Sequence, residues 1–227
     1  MEEIKTLKDH VYNYIAEQIR TGGMHPNQRV SETAICEALK ISRTPVREAL
    51  IQLTAEGVLE KQNRKGFVIK MISEEEVAQL YEIIGALDGY AAKKACDRLN
   101  EQDFANLDFY VNSIDLAIKA QNSQMYYEQQ QKFHQLYIDK CGNDSLIAEL
   151  SRLHNKLLKN TSIDLNKEEN REILLSTNME HKEILRLFTK KAKDELFTYI
   201  SETHWRPGYA AYDAKASIAT SDTFTKK

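Results

Sequence analysis

The sequence has few of the residues that interrupt helices or cross-link chains. Its 227 residues include only three prolines, eight glycines and three cysteines. A low content of turn-forming residues favours a helix-rich protein. The cysteines (Cys36, Cys96 and Cys141) lie far apart with no CxxC spacing, which argues against a disulfide framework and against a zinc ribbon. We therefore expect reduced and mostly buried thiols.

Long apolar runs are also missing. The first residues, MEEIKTLKDH, are charged from the start, and no later stretch is long enough for a membrane span or a secretory signal. We therefore expect a cytoplasmic protein with no membrane partner. An apolar content of 42% still supports hydrophobic cores, and the length suits two compact domains.

The net charge of -3 conceals a difference between the two parts of the chain. Residues 1–73 contain 11 Lys and Arg against 9 Asp and Glu, whereas the remaining residues contain 20 against 25. The stretch from Lys40 to Lys70 holds seven basic residues and three acidic ones. A basic patch on an acidic chain suits a polyanion partner such as DNA, although many charged runs are only solvated surface.

Residue patterns in the first 72 residues predict a winged helix-turn-helix. Apolar residues recur at helical spacing in three segments, and two short segments then alternate as strands do. Ser31 is expected to cap the second helix, and Ser42 or Thr44 the third. The first predicted helix covers 7–20 and ends at Gly22-Gly23. A turn is predicted next at His25-Pro26-Asn27-Gln28, where asparagine tolerates the positive φ that a type II turn needs. The second helix runs from Ser31 to a turn at Lys40-Ile41, the third ends at Gly57, and the strands cover 58–61 and 66–70.

The third of these helices has two different faces. Val46 and Leu53 lie on its apolar side, and Arg43 and Arg47 lie on the other. An arginine at this end of the helix can donate two hydrogen bonds to guanine or bind a phosphate. The alternative is that both arginines only solubilise an amphipathic helix. The complete order of elements, with a basic hairpin after the helix, favours DNA binding.

After residue 73 the pattern becomes entirely helical. Short breaks separate six predicted helices, over 74–98, 101–120, 123–141, 144–161, 168–189 and 192–206. Such short connections imply antiparallel neighbours. We therefore predict a mostly α fold, with a winged helix-turn-helix in residues 1–72, an all-α antiparallel helical bundle in 73–206, and a polar, flexible tail in 207–227.

Three histidines form the one constellation of the bundle that suggests chemistry. His134, His181 and His204 lie on three different predicted helices, where their imidazoles could converge on a divalent metal. The spacing alone favours ordinary histidines at helix interfaces over a metal site. The other histidines have no such arrangement and are expected on the surface or in packing contacts: His10, His25 and His154.

The stretch SRTPVREAL, followed by a helix ending in glycine and by K-G-F-V, resembles the DNA-binding domain of the GntR family of bacterial transcription regulators. The resemblance covers about residues 5–72, and Asn27 stands where the family usually has glycine. It implies that Arg43 and Arg47 read bases or phosphates and that Lys65 contacts phosphate. The full set of implied DNA contacts is Ser42, Arg43, Thr44, Arg47, Lys65 and Gly66.

Roughly residues 74–206 resemble the FCD ligand-binding domain of the FadR-like subfamily. The resemblance is carried by an F-H, a later G-N, then E-H-x-x-I and a final H. The resemblance implies a metal, zinc or nickel, held by His134, His181 and His204. Gln130 occupies the position of the subfamily's aspartate ligand; its amide oxygen is an uncharged, poorer ligand, so we expect weaker metal binding. Ile84 replaces a usual arginine, which argues against a simple carboxylate effector.

Together these resemblances imply a homodimeric transcription regulator, most often a repressor, that binds an operator in double-stranded DNA and a small-molecule effector. They do not imply an enzyme. One rival interpretation is a metalloenzyme that uses the three histidines, but it lacks a general base, because Glu180 is expected to point away from its neighbour His181. Another is a winged helix used only for protein association, which would make Arg43 and Arg47 dispensable.

Overall fold

A computed structural model describes residues 6–20, 23–25, 27–70, 72–158 and 164–209. The described chain falls into two compact units, which change over between Ser73 and Glu74. Residues 155–158, the end of a helix that lies mainly in the second unit, group with the first unit. Some predicted features fall outside the described residues: the helix end at Gly22, the turn at Pro26, the last residues of the helix predicted over 144–161, and the tail from residue 210 onward.

The first unit contains three helices and a hairpin. They are α1 (Leu7–Arg20), α2 (Glu32–Leu39), α3 (Arg43–Ala55), β1 (Leu59–Gln62) and β2 (Gly66–Ile69). The strands pair antiparallel, with Leu59 opposite Ile69 and Gln62 opposite Gly66. This is the order of a winged helix-turn-helix, so the prediction for this part of the chain is confirmed.

The core of the first unit forms where the apolar faces of its elements meet. Ser31 begins α2 because its hydroxyl accepts a hydrogen bond from the Ala34 amide, at 3.2 Å. Asn27 adopts the positive φ, 64°, that was predicted for the loop before α2. The fully buried residues of the core include Val11, Ile15, Ile35, Val46, Ala49, Leu50 and Leu53.

The described part of the second unit is entirely helical, which confirms the predicted bundle. It contains α4 (Glu74–Ala95), α5 (Glu101–Lys119), α6 (Ser123–Asp139), α7 (Asp144–Leu158), α8 (Glu168–Thr189) and α9 (Lys193–Thr198). Asn100 and Asp103 form a reciprocal capping box at the start of α5, and Asn122 caps α6. None of the described helices is long and apolar enough to cross a membrane.

The end of the bundle differs from the single helix predicted over 192–206. After α9 the chain widens into a π-helical turn, Tyr199–His204, and a short 3-10 turn, Pro207–Tyr209, follows. A π-helical turn adds a residue to each turn of helix, so it changes the direction of every side chain beyond it. The helical pattern of residues in the sequence does not distinguish these two conformations.

Two glycines of α4 allow it to pack closely on α9 and the π-helical turn. A Cβ atom at Gly85 would lie 2.9 Å from the carbonyl oxygen of Ser201, and one at Gly89 would lie 2.8 Å from that of Phe197. Real Cβ atoms do not approach backbone oxygens so closely. The spacing of four residues places both glycines on one face of α4, where the two backbones meet.

The three cysteines are free thiols, as predicted. Cys96 and Cys141 are buried, and Cys36 is half-buried. Burial raises the pKa of the Cys96 thiol, so this side chain is neutral at neutral pH.

Candidate functional site

The first candidate site is the amino-terminal end of α3. Arg43, Thr44 and Arg47 are exposed there, whereas Val46 and Leu50 on the opposite side are fully buried in the core of the first unit. Packing therefore fixes the helix while its polar face stays in solvent. The free amide groups at the start of a helix also favour a negatively charged partner.

The hydroxyl of Ser42, the residue before α3, does not cap the helix. Ser42 occupies the N-cap position with an extended backbone, φ -68° and ψ 164°, but its side chain makes no capping hydrogen bond. It is exposed beside Arg43. A hydroxyl in this position can donate a hydrogen bond to a phosphate oxygen.

The tip of the hairpin is basic and exposed. Lys65 and Gly66 lie there, and Arg64, which is not among the predicted DNA contacts, is exposed beside them. Gly66 has a φ of 76°, and no atom lies within 4 Å of the place where a Cβ would stand. The left-handed backbone rather than crowding is what favours glycine here. The hairpin thus presents two cations on a tight turn.

The second candidate site is the cluster of the three predicted histidines, which the structure brings together. His134 lies on α6, His181 on α8 and His204 at the end of the π-helical turn, and all three are buried. The Nε2 atom of His134 lies 3.3 Å from that of His181 and 3.3 Å from that of His204. One ligand atom from each residue lies within 4.8 Å of the others.

The other ring nitrogen of His134 is held by oxygen atoms. Its Nδ1 lies 3.1 Å from Asp88 Oδ2 on α4 and 2.7 Å from the hydroxyl of Tyr137. Burial and the charge of Asp88 raise the pKa of Tyr137 well above its ordinary value, so the hydroxyl keeps its proton. An Nδ1 that faces acceptors carries the ring proton, which leaves the lone pair on Nε2.

His181 and His204 are oriented in the same way. His181 Nδ1 lies 3.0 Å from Asn178 Oδ1, and the amide nitrogen of Asn178 donates to the Val111 carbonyl, which fixes the amide orientation. His204 Nδ1 lies 3.0 Å from Glu180 Oε2. All three Nε2 lone pairs therefore point toward one another, an arrangement that needs a cation or a donor between them.

Burial keeps two of the three imidazoles uncharged. Burial and the neighbouring imidazoles lower the pKa of His181 well below its usual value. Burial also lowers the pKa of His204, although the hydrogen bond to Glu180 acts in the opposite direction. Both rings are therefore neutral at neutral pH, which is the form that binds metal ions.

Carboxylates behind the histidines complete the site, and sequence reasoning missed them. Burial opposes the ionised form of Asp88, but the hydrogen bond with His134 holds its pKa below the usual value. The expectation that Glu180 points away from the site was wrong: it does not face His181, but its carboxylate bonds His204 and also accepts from Arg206 at 3.0 Å. The partner of Glu180 comes from another helix, which adjacency in sequence cannot reveal.

The donor set fits a divalent transition metal. Two nitrogen ligands about 2.0–2.1 Å from a tetrahedral ion stand roughly 3.3 Å apart, which equals the two observed Nε2 separations. Gln130 lies on α6 one turn before His134 and is half-buried. Among the described residues, no hydrogen bond links Gln130 to the histidines.

His154 was expected on the surface or in packing contacts, and the structure places its packing contacts beside the cluster. Its ring stacks on Trp205 with centroids 5.4 Å apart and planes at 24°. It also lies 6.3 Å from the ring of His134. The indole nitrogen of Trp205 donates to Asp88 Oδ2 at 2.7 Å, so these aromatic rings form one side of the site.

Two family descriptions match the two units. Residues 7–69 match "Bacterial regulatory proteins, gntR family", and residues 79–202 match "FCD domain". The chain is 26% identical over 184 residues to the uncharacterized HTH-type transcriptional regulator YdhC of Bacillus subtilis, covering 81% of each protein. It is 29% identical over 132 residues to the Nta operon transcriptional regulator of Aminobacter aminovorans, covering 58% of this chain and 62% of that one.

A solved structure has the same fold. E. coli McbR/YncC aligns with a TM-score of 0.75 at 19% identity, covering 96% of this chain and 99% of that one. Both relatives are named as transcriptional regulators, so the metalloenzyme interpretation has no support. The chain therefore belongs to the gntR family of bacterial regulatory proteins and carries an FCD domain, which makes it a DNA-binding transcription regulator with a carboxyl-terminal effector-binding domain.

Proposed function

We propose that this protein is a cytoplasmic, homodimeric repressor that leaves its operator when a small-molecule effector binds at a metal held by His134, His181 and His204. The observation that carries the metal site is the convergence of three buried Nε2 atoms, each on a ring whose Nδ1 faces an oxygen. Residues 1–72 would bind DNA, 73–206 would bind effector and form the dimer, and 207–227 would form a flexible tail.

The proposed DNA contacts differ in what they contribute. Arg43 and Arg47 lie at the end of α3 that enters the major groove in winged helices, where a guanidinium can pair with guanine. Lys65 on the hairpin supplies a charge to the phosphate backbone, which adds affinity for any sequence. Ser42, Thr44 and Gly66 lie beside these cations, and hydroxyl groups and close backbone approach suit phosphate contacts.

A dimer is proposed because one winged helix reads only a few base pairs. Two copies related by a two-fold axis read a palindrome, and the second copy adds its own contacts to the same site. The effector can control such a dimer only if it binds the DNA-competent arrangement and the other arrangement unequally. We propose that the effector binds in the helical unit, where the three histidines converge.

The proposed metal is zinc or nickel, because three neutral imidazoles suit both ions. When bound, the ion would offer open coordination positions to an anionic group of the effector. Asp88 and Glu180 support this role, since their two negative charges lie directly behind ligand histidines. Asp88 and Glu180 would compensate the positive charge of the metal, which the uncharged amide of Gln130 cannot do. Both carboxylates also fix the orientation of the histidine rings.

The DNA-binding part of the proposal is tested by selection from random DNA. The purified full-length chain is incubated with a library of random duplexes, and the bound fraction is amplified and sequenced. We expect enrichment of one sequence with two-fold symmetry, and a gel shift whose stoichiometry is two chains per duplex. Enrichment without symmetry contradicts the dimer, and no enrichment at all contradicts specific DNA recognition.

The metal part is tested by the substitution Gln130→Asp. A carboxylate at this position adds a charged ligand, so metal retained through purification should rise above the wild-type level, which we expect to be below one ion per chain. Metal content is measured by mass spectrometry. Gln131→Asp is the matched control, because it adds the same charge at the neighbouring exposed position. Equal retention in both variants would place Gln130 outside the metal site.

A further inference from the structure

One large apolar side chain of the first unit is exposed on the polar face of a helix. Ile51 lies on α3 and is 55% exposed, whereas its neighbours Leu50 and Leu53 are fully buried in the core. A β-branched residue at such a position lowers helix propensity and leaves apolar surface in water. A single exposed apolar residue is nevertheless common in soluble proteins, so the place of Ile51 on the helix decides what its exposure means.

Ile51 belongs to the face of α3 that carries the proposed base-reading arginines. Residues four apart lie one above the other on a helix, so they form a continuous ridge. The ridge of α3 consists of four exposed residues at this spacing: Arg43, Arg47, Ile51 and Ala55. Its first half is cationic and its second half is apolar. Ile51 therefore continues the proposed DNA surface and is not an isolated exposed residue.

The dimensions of α3 bring Ile51 to the same stretch of DNA as Arg47. Four residues span about 6 Å along a helix axis, and successive base pairs lie about 3.4 Å apart, so the two side chains are within about two base-pair steps of each other. The major groove is about 12 Å wide, which is close to the diameter of a helix with its side chains. A helix in the groove therefore has base edges along its whole exposed ridge.

An isoleucine can recognise only one feature of a base pair in this groove. Its side chain has no donor and no acceptor, so it cannot read the pattern of hydrogen-bonding groups. The C5 methyl group of thymine is the apolar group that base edges present in the major groove. Contact between this methyl group and Ile51 would remove apolar surface of both from water, which favours thymine over the other three bases.

We infer that Ile51 is a further specificity-determining residue of the DNA site, and that it packs on the C5 methyl group of a thymine within about two base pairs of the one that Arg47 contacts. This inference rests on the proposed function, because it assumes that the exposed ridge of α3 enters the major groove. It adds a base contact that uses no hydrogen bond. It also states which base the operator holds beside the position of Arg47.

The test first removes the methyl group from the DNA. The probe is the duplex that the full-length chain selects from random DNA, and symmetry-related thymines are replaced by deoxyuridine, one pair at a time. Deoxyuridine keeps the base pairing of thymine and lacks only the C5 methyl group. Burial of one methyl group corresponds to about fourfold in affinity, so at one pair of positions wild-type binding should weaken about fourfold or more. Fluorescence anisotropy measures the dissociation constants.

The variant Ile51→Ala should lose this discrimination, because its short side chain does not reach the methyl group. It should bind the thymine and deoxyuridine duplexes with dissociation constants that agree to within about twofold. Ile83→Ala is the matched control, since it removes the same side chain from a position on α4 that is 49% exposed, and it should keep the full discrimination. In case the first variant does not fold, Ile51→Gln replaces the apolar group by an amide, and selection with it should no longer enrich thymine at this position.

Failure of the DNA site and failure of the Ile51 contact give different results. If the wild type selects no sequence, specific DNA recognition is wrong and the Ile51 contact is wrong with it. If a sequence is selected but no deoxyuridine pair weakens wild-type binding, or both Ile51 variants still prefer thymine at that position, Ile51 does not read a base and the DNA site stands. An equal loss of affinity for every duplex in Ile51→Ala also overturns the inference, since it would mean that Ile51 contacts sugars or supports the protein.

Discussion

The two candidate sites of this protein differ in their exposure to solvent. The arginines of α3 are exposed and stay hydrated until DNA arrives, whereas His134, His181 and His204 are buried and each is held by a hydrogen bond on its outer nitrogen. At the proposed DNA site the exposed cations would gain affinity for DNA by releasing its counterions. At the proposed metal site the buried nitrogens would gain affinity for a metal because they are already in position.

This difference predicts how each site responds to damage. Contacts on the exposed surface act separately, so each substitution should remove a part of the affinity. The buried cluster has three ligands that depend on one another, so loss of one should remove binding entirely. The predictions below would sharpen this contrast or break it, and they run from the largest expected effect to the smallest.

The largest effect is expected for His181→Ala. Its Nε2 is one of the three that converge, so its removal leaves two ligands and should abolish binding of zinc or nickel. Thermal unfolding of the metal-free chain is followed with and without added zinc. The wild type should be stabilised, because a site that exists only in the folded state stabilises by mass action, and the variant should not. An equal response of both chains would make the histidines packing residues.

A smaller effect is expected for Arg47→Ala. Loss of one bidentate contact to a base costs about 1–3 kcal/mol, so affinity for the selected operator should fall roughly 5- to 150-fold while affinity for random DNA changes little. Fluorescence anisotropy measures both. The variant should still form dimers, because Arg47 is exposed and outside the core. Lys119→Ala, which removes an exposed cation from α5, serves as the control and should leave both affinities unchanged.

Gly85→Ala should weaken the metal site without destroying it. The new methyl group would lie 2.9 Å from the Ser201 carbonyl oxygen, so the π-helical turn that carries His204 must move. We expect zinc affinity to fall about tenfold, the lower end of the range for lost outer support of a metal ligand. Competition with a chromophoric chelator gives the affinity. Gly208→Ala is the matched control, since no atom lies within 4 Å of its Cβ position.

The smallest effect is expected for Lys65→Ala. A phosphate contact carries no sequence information, so binding to the operator and to random DNA should weaken by the same factor, a few-fold at moderate salt. The dependence of log affinity on log salt should lose about one unit of slope. Titrations at several salt concentrations measure it. A loss confined to the operator would mean that Lys65 reads bases instead.

The elements of the fold were predictable because their signals are local. Apolar spacing, capping residues and short breaks identified the helices and the hairpin, and SRTPVREAL marked the helix that presents Arg43 and Arg47. The three histidines were also found, because each stands on a different predicted helix and each fits the resemblance to the FCD domain. Whether they meet depends on how the helices pack, which the sequence pattern does not state.

The residues that support the site could not be found in this way. Asp88 and Glu180 are ordinary acidic residues on helices, and they matter only because tertiary packing places them behind His134 and His204. The π-helical turn could not be predicted from the sequence either, because α- and π-helical turns contain the same types of residue. The four-residue spacing of Gly85 and Gly89 does indicate that another backbone packs closely on this face of α4. It does not indicate which segment packs there or that this segment is π-helical.

The π-helical turn also has a consequence for how this protein can change over time. A regular helix ties the direction of each side chain to its position in the count of residues, so gaining or losing one residue turns everything beyond it. The turn Tyr199–His204 is wider than an α-helical turn. Such a turn can take up one residue more or less without changing the direction in which the side chain at its end points. Chains of slightly different length could therefore keep a histidine at the end of this segment facing the same centre. An alignment of such chains that assumes a regular α-helix would shift the histidine that corresponds to His204, the proposed metal ligand, by one residue.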